Sequence, residues 1–271
     1  MGKAYLFYNP LAGGGKILED LDALEFVLDT GTVLCDMTDA KTYEQTLFAM
    51  TPEDYIVVCG GDGTLHRFWN LVADLGRSNA IYYYPAGTHN DFALDFGRFY
   101  GCNPFPVTEF LGKLPVMRTE KRTAFFLTGI LFLTDDRKRS HFPKQAGYDR
   151  ENTPVDLQLR IDGCSRRFEK VSFAAILKGR YCCGGKTPDP DRRRAEEELS
   201  CVIIHGCGKW KAARLKRRLW KNRPLHSSHL TLYRGREVEM LFEDAVCLRV
   251  DGELHTEVTQ LYAAAEREEK P

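Results

Sequence analysis

Three short glycine-bearing segments carry the chemistry most readily read from this sequence. They are Asn9-Pro10-Leu11-Ala12-Gly13-Gly14-Gly15-Lys16, Gly60-Gly61-Asp62-Gly63-Thr64 and Pro85-Ala86-Gly87-Thr88-His89-Asn90-Asp91. Glycine lets a backbone take positive φ and come close to an anion. Each segment leads into a helix, whose free N–H groups and positive dipole end attract phosphate. Thr64 and Thr88 add hydroxyl donors. Asp62 would repel phosphate unless a cation intervened, so it predicts Mg²⁺ carried with a nucleotide. Singly, each feature has a plain alternative: a glycine run is a flexible turn and an Asp is a helix cap. Three such segments in one chain are harder to dismiss. Neither the phosphate loop ending in Gly-Lys-Ser/Thr nor the Gly-x-Gly-x-x-Gly dinucleotide turn is present.

The elements that must position these segments alternate. Ala4–Tyr8 is a short apolar run and reads as a buried strand. Ile17, Leu18, Leu21, Leu24 and Leu28 recur at helical spacing. Thr32–Cys35 reads as a second strand and Tyr43–Met50 as a short helix. Tyr55-Ile56-Val57-Val58-Cys59 is a β-branched run that stops at Gly60-Gly61. Leu65–Leu75 returns to helical spacing, and Ile81–Tyr84 is a strand ended by Pro85. Strands alternating with helices imply a parallel sheet, with ligands beyond the carboxyl ends of its strands.

From about Arg122 the pattern becomes strand-rich. Val155–Ile161 and Phe168–Leu177 flank the Asp162-Gly163 turn signal. Ser200–His205, Leu230–Tyr233, Val238–Phe242 and Val246–Val250 follow, with one helix over about Lys209–Lys221. Asp135–Arg150 and Thr187–Glu198 read as exposed loops. The expected fold class is therefore α/β plus β: an N-terminal α/β nucleotide-binding domain over 1–110, and a mainly antiparallel β-sandwich domain over 111–255. The tail 256–271 is expected to pack back on the first domain.

A chain of 271 residues accommodates two domains. Lys plus Arg number 38 and Asp plus Glu number 38, a balance that argues against a nucleic-acid-coating protein. No apolar run is long enough to span a bilayer. Nine cysteines without metal spacing read as reduced thiols, which suits a cytoplasmic protein.

Asn9-Pro10…Gly13, Gly60-Gly61-Asp62-Gly63-Thr64 and Pro85-Ala86-Gly87-Thr88-x-Asn90-Asp91-Phe92-Ala93 together resemble the diacylglycerol kinase catalytic family. That family includes bacterial lipid kinases and sphingosine kinases and is related to NAD kinases. The resemblance continues through Tyr181-Cys182-Cys183-Gly184-Gly185-Lys186-x-Pro188 and Val250-Asp251-Gly252-Glu253. It implies ATP in a cleft between an α/β domain and a β-sandwich. It places Asn9, Pro10 and Gly13 at the nucleotide phosphates. Gly60, Gly61, Asp62, Gly63, Thr64 and Leu65 would wrap the triphosphate, with Asp62 serving Mg²⁺-ATP as the metal-related residue. Thr38 and Thr88 would be further nucleotide contacts. Glu253 matches the catalytic base, and Asp251 would orient the site. The expected reaction is transfer of the γ-phosphoryl of Mg²⁺-ATP to a lipid hydroxyl, with diacylglycerol the default acceptor and phosphatidic acid the product. A carboxylate within reach of that hydroxyl can take its proton as the phosphoryl moves.

The local residues leave alternatives open. Asp251-Gly252 is also a hairpin turn signal, which would leave Glu253 a solvated strand residue. The kinase could act on a soluble alcohol in NAD-kinase fashion, or the chain could be a nucleotide- or lipid-binding protein without turnover. His66-Arg67 and His89 depart from the family pattern, and between Thr123 and Asp136 only Thr128-Gly129-Ile130 is recognisable. The Glu196-Glu197-Glu198-Leu199 stretch lacks the Asp and Gly with which relatives bind a structural Mg²⁺, so a solvated charged loop is expected there. Lys209, Lys211, Arg214, Lys216, Arg217, Arg218, Lys221 and Arg223 mingle with Trp210, Leu215, Leu219 and Trp220. Such a helix either packs its apolar stripe on the β domain with its charges solvated, or docks on anionic lipid. The expected partners are ATP and a lipid acceptor at a membrane surface, with transient peripheral membrane association and no nucleic acid; the resemblance also admits a homodimer.

Overall fold

The strand β1 (Ala4–Tyr8) pairs in parallel with β2 (Val33–Asp36) on one side and β3 (Tyr55–Gly60) on the other. In this computed structural model the described residues are 2–28, 31–74, 78–111, 115–119, 129–133, 153–222, 226–250 and 253–266. They fall into two units. One comprises Met1–Leu114 together with Cys183–Gly185, and the other Pro115–Cys182 with Lys186–Arg267.

Among the described residues the first unit holds a five-stranded sheet, ordered β2-β1-β3-β4-β5. The strand β4 (Ala80–Pro85) is parallel to β3, and the two-residue β5 (Phe105–Pro106) closes the edge antiparallel to it. Every residue of β3 after Tyr55 is buried, as expected for a central parallel strand covered on both faces. The helices α1 (Ile17–Leu28), α2 (Ala40–Ala49) and α3 (Asp62–Asp74) connect successive parallel strands, and α4 (Asp91–Asp95) and α5 (Thr108–Leu111) flank β5. One layer of core joins Leu6, Val57 and Cys59 of the sheet to Ile17, Leu21 and Leu24 of α1. The α/β expectation for this region holds. The short α4, α5 and β5 lack the length to leave a periodic signal.

Among the described residues the second unit is built on a nine-stranded antiparallel sheet. Its strands are β6 (Val116–Thr119), β7 (Gly129–Leu133), β8 (Val155–Ile161), β9 (Cys164–Val171), β10 (Phe173–Leu177), β11 (Leu199–Ile204), β12 (Leu230–Gly235), β13 (Glu237–Val250) and β14 (Glu253–Glu266). Asp162 and Gly163 both take positive φ and turn β8 into β9, as their sequence predicts. The expected strand over Phe168–Leu177 is divided at Ser172, whose N–H donates to Ile204 O. The two expected strands at 238–242 and 246–250 are one long strand, bulged between Leu241 and Val246. That bulge lets β13 pair with β8 through Val238–Phe242 and with β7 through Leu248–Val250. The sheet thereby folds over on itself. Leu157, Leu159 and Phe168 from one half share a core with Ile130, Phe132, Ile176 and Cys201 from the other. At the far side Gly235 of β12 lies against Ile161, so closely that a Cβ there would stand 2.3 Å from its Cγ2. Residues from 256 to 266 are part of β14 in this sheet, antiparallel to β13 and β6; 267–271 lie outside the described residues.

The Thr187–Glu198 segment corrects an expectation. It is not an exposed loop: Asp189, Arg192 and Arg194 are buried. Two cations organise it. The ammonium of buried Lys178 donates to the carbonyls of Arg194 and Glu196 at 2.9 and 2.6 Å. The guanidinium of Arg192 donates to the carbonyls of Glu196 and Glu198 and pairs with the Glu196 carboxylate at 2.7 Å. Asp189 receives a two-pronged contact from Arg234, at 2.9 and 2.7 Å, and the Ser200 hydroxyl at 2.6 Å. The charge pattern read as solvation is an internal network, because turns without a ladder need other partners for their carbonyls. The other expected loop, Asp135–Arg150, lies outside the described residues.

The basic helix forms as α6 (Lys209–Leu219). Ala212, Leu215 and Leu219 are buried, and Trp220 packs edge-on to Phe173. No described helix is long and apolar enough to cross a membrane. All nine cysteines are free thiols.

Candidate functional site

Parallel registry brings the glycine-bearing segments together in the first unit. Tyr8 stands opposite both Asp36 and Cys59, Cys59 opposite Tyr84, and Gly60 opposite Pro85. The strands thus end level, and the segments after β1, β3 and β4 leave from one edge of the sheet. Backbone bonds lash them together: Asn9 N–H to Cys59 O, Ala86 N–H to Gly60 O, and Asp62 N–H to His89 O at 3.3, 2.9 and 3.2 Å.

Glycine is required where the loops touch. A Cβ on Gly87 would lie 2.1 Å from the Cα of Gly61, so the second and third loops meet main chain to main chain. Gly13 has φ of 61°, and a Cβ on it would lie 2.7 Å from Ala86 O, which draws in the first loop too. Gly14 and Gly15 also take positive φ but face open space. The first loop is closed by an Asx turn in which Leu11 N–H donates to the Asn9 side-chain oxygen at 3.0 Å.

The acidic residues hold this arrangement. Asp62 opens α3, yet its carboxylate reaches α4: one oxygen accepts Asp91 N–H at 2.7 Å and the other Phe92 N–H at 3.0 Å. The N-cap residue of α4, Asn90, makes no capping bond of its own. Its side chain instead closes the third loop on Gly87, accepting Gly87 N–H at 3.0 Å and donating to Gly87 O at 2.9 Å. Buried Tyr83 donates to Gly60 O at 3.1 Å. Asp91 passes the relay on, its two oxygens accepting Gly184 N–H at 2.9 Å and Gly185 N–H at 2.6 Å. Burial raises the Asp91 carboxyl above its ordinary value, and the two amides only partly offset this.

The residues singled out from sequence therefore take distinct places. Asn9, Pro10, Gly13, Gly60, Gly61, Asp62, Gly63 and Thr64 are gathered at the level strand ends. Asn9 and Thr64 face each other, with Nδ2 and Oγ1 3.5 Å apart. Gly63 and Thr88 are exposed. Thr38 lies after β2, its N–H and hydroxyl both donating to Asp36 at 2.8 and 2.7 Å. Leu65 has its side chain in the core, and its N–H donates to Gly61 O in the first turn of α3. Glu253 heads β14, with Val250 its cross-strand partner; Asp251 and Gly252 lie outside the described residues. Sequence reasoning did not assign roles to Asp91, Asn90 and Tyr83, and only the Asn-Asp pair after a glycine turn could have marked them.

Mg²⁺ was expected beside Asp62. Both Asp62 oxygens already accept amide donors, and among the described residues no cluster of three or more His, Cys, Asp or Glu could hold an ion. Each carboxylate oxygen keeps a second lone pair, so Asp62 fits a Mg²⁺ that arrives on a nucleotide rather than one caged by protein ligands.

The site gains context from known proteins. Residues 3–109 match the family model of the diacylglycerol kinase catalytic domain. A diacylglycerol kinase of Bacillus subtilis (strain 168) is 28% identical over 104 residues, which are 36% of this chain and 34% of that protein. The match thus spans about a third of that relative's length. The crystal structure of a diacylglycerol kinase from Bacillus anthracis str. Sterne is similar over 98% of this chain and 94% of that one, with a TM-score of 0.65 and 18% identity. Two further structures from that organism give 0.67 and 0.68. At such identity the likeness establishes the fold, an α/β unit plus an antiparallel β unit. The resemblance read from the motifs holds over residues 3–109, less than half of the chain.

Proposed function

We propose that this chain is an ATP-dependent lipid kinase that transfers the γ-phosphoryl group to a lipid hydroxyl, most simply that of diacylglycerol, giving phosphatidic acid. The observation that carries the reading is the meeting of the Gly60–Thr64 and Pro85–Asp91 loops at Gly61 and Gly87, beside the Asn9–Gly15 turn. It gathers glycine main chain and the Thr64 side chain at one edge of a parallel sheet, the place and the residue types that suit a polyphosphate.

In this reading Asn9, Pro10, Gly13, Gly60, Gly61, Gly63 and Thr64 line the phosphates, Leu65 anchors the start of α3 behind them, and Thr38 and Thr88 are outlying contacts. Asp62 positions the third loop from beneath. Mg²⁺, entering bound to ATP, would supply charge neutralisation on the triphosphate. Glu253 takes the proton of the acceptor hydroxyl, with Asp251 orienting it, as the family resemblance assigns. The work is done by positioning and electrostatics, since phosphoryl transfer asks little covalent chemistry of the protein. The lipid acceptor brings the protein to a membrane surface at least transiently.

Calorimetric titration with ATP in the presence of Mg²⁺ tests the nucleotide half. Asn9→Ala and Thr64→Ala are expected each to weaken binding about tenfold, the loss of one hydrogen bond to a charged group. Binding unmoved by both substitutions would place the nucleotide elsewhere.

A further inference from the structure

The helix α6 presents two faces of opposite character within the second unit. Ala212, Leu215, Lys216 and Leu219 are buried and hold it to its own unit. Trp210, Arg214 and Arg217 follow at intervals of four and three residues, which aligns them along the opposite side, and Lys221 lies in the turn just past the helix end. All four are exposed, and Trp210 is 91% exposed, the most open large hydrophobic side chain among the described residues. Lys209, Lys211 and Arg218 widen the stripe. No Asp or Glu occurs between Ser200 and Glu237 in the sequence, so the acidic residues of the chain are placed elsewhere along it. In a chain whose charges sum to zero, this is a deliberate segregation.

Packing requirements do not account for Trp210, since the buried face is complete without it. An exposed indole costs solvation in water, but sits favourably at the level of lipid headgroups, where its ring is half immersed and its N–H stays wet. Cations flanking it along one line meet the anionic phosphates in the same plane. We infer that the Trp210–Arg214–Arg217 face of α6, with Lys221 in the turn just past its end, is a docking surface for anionic phospholipid bilayers. This inference stands on the helix alone and does not depend on the kinase reading.

The test is co-sedimentation of the full chain with phosphatidylcholine vesicles and with mixed phosphatidylcholine–phosphatidylglycerol vesicles, no nucleotide being added. The protein is expected to partition onto the mixed vesicles only. Each exposed cation removed should lower partitioning about fivefold, so R214E/R217E/K221E should abolish it. All three side chains are exposed, and the melting temperature of the triple variant should match wild type. Trp210→Ala should also weaken partitioning. Brominated lipid should quench the fluorescence of wild type by an increment that Trp210→Phe lacks. Equal binding to both vesicle types, unchanged partitioning of the triple variant, or no binding at all would each overturn the inference. So would duplex DNA displacing the protein from mixed vesicles with no lipid quenching of Trp210, an outcome that would mark the stripe as a general polyanion site.

Discussion

Asp62 and Asp91 form a relay in which the carboxylate of the first accepts the backbone N–H of the second at 2.7 Å. Asp91 then accepts two glycine amides of the Cys183–Gly185 turn. One buried acid thereby fixes the start of α4, and the next fixes a turn 93 residues further on in sequence. The motif aspartate is in the first instance an architectural residue, and its effect on chemistry passes through the loops it holds.

Asp62→Ala should accordingly cost stability as well as activity. Losing the cap of α4 is worth about 1–2 kcal/mol. Asp62→Asn should recover part of the stability, because its side-chain oxygen can still accept one amide. Urea melts of the two variants against wild type measure this; a fully stable Asp62→Ala would contradict the capping role.

The glycines of the loops should rank by what a methyl group would strike. Gly87→Ala, meeting the main chain of Gly61, should cost roughly 2–3 kcal/mol. Gly14→Ala meets nothing and pays only for its positive φ, about 1 kcal/mol. Thermal denaturation of both variants gives the order, and the reverse order would exclude the tight approach of the second and third loops.

Much of this was legible in the sequence, because its signals were local. The run Tyr55–Cys59 before paired glycines marked both a central strand and its loop, and Asp162-Gly163 marked its hairpin. What escaped reading was non-local. A cap is visible in sequence when it precedes its own helix, but Asp62 caps a helix about thirty residues downstream. The arginine-rich stretch after Pro188 looked solvated because its partners are scattered: Lys178 stands just past the end of β10, Ser200 on β11 and Arg234 on β12. A bulge such as that in β13 leaves no periodic trace, so one strand read as two.

The network around that stretch makes a proteolytic prediction. Lys178→Met leaves the carbonyls of Arg194 and Glu196 without that donor, at a cost of roughly 2–4 kcal/mol. Trypsin should then cut at Arg192–Arg194, where the wild-type chain resists. Equal cleavage of both proteins would contradict the burial of this segment.

Acid should weaken the second unit through Asp189. Burial alone would raise its carboxyl, but Arg234 and Ser200 outweigh burial and hold it below the ordinary carboxylate range. A carboxyl depressed in the folded state contributes stability that is complete above its unfolded value of about 3.9 and lost as pH falls through the folded one. Asp189→Asn should lose about 2–3 kcal/mol near neutrality, the low end for a broken buried pair because Arg234 is 33% exposed. Its melting temperature should also fall less steeply than wild type below pH about 4; parallel curves would remove Asp189 from the acid response.

The central claim is tested most directly by following label from γ-³²P-ATP with Mg²⁺ into a mixed lipid extract, comparing wild type with Glu253→Gln. Wild type is expected to give a labelled, organic-soluble phospholipid that migrates as phosphatidic acid, and Glu253→Gln at least a hundredfold less at unchanged ATP affinity, the scale of a lost general base. Label confined to water-soluble products, or absent from lipid while ATP binding is intact, would contradict it.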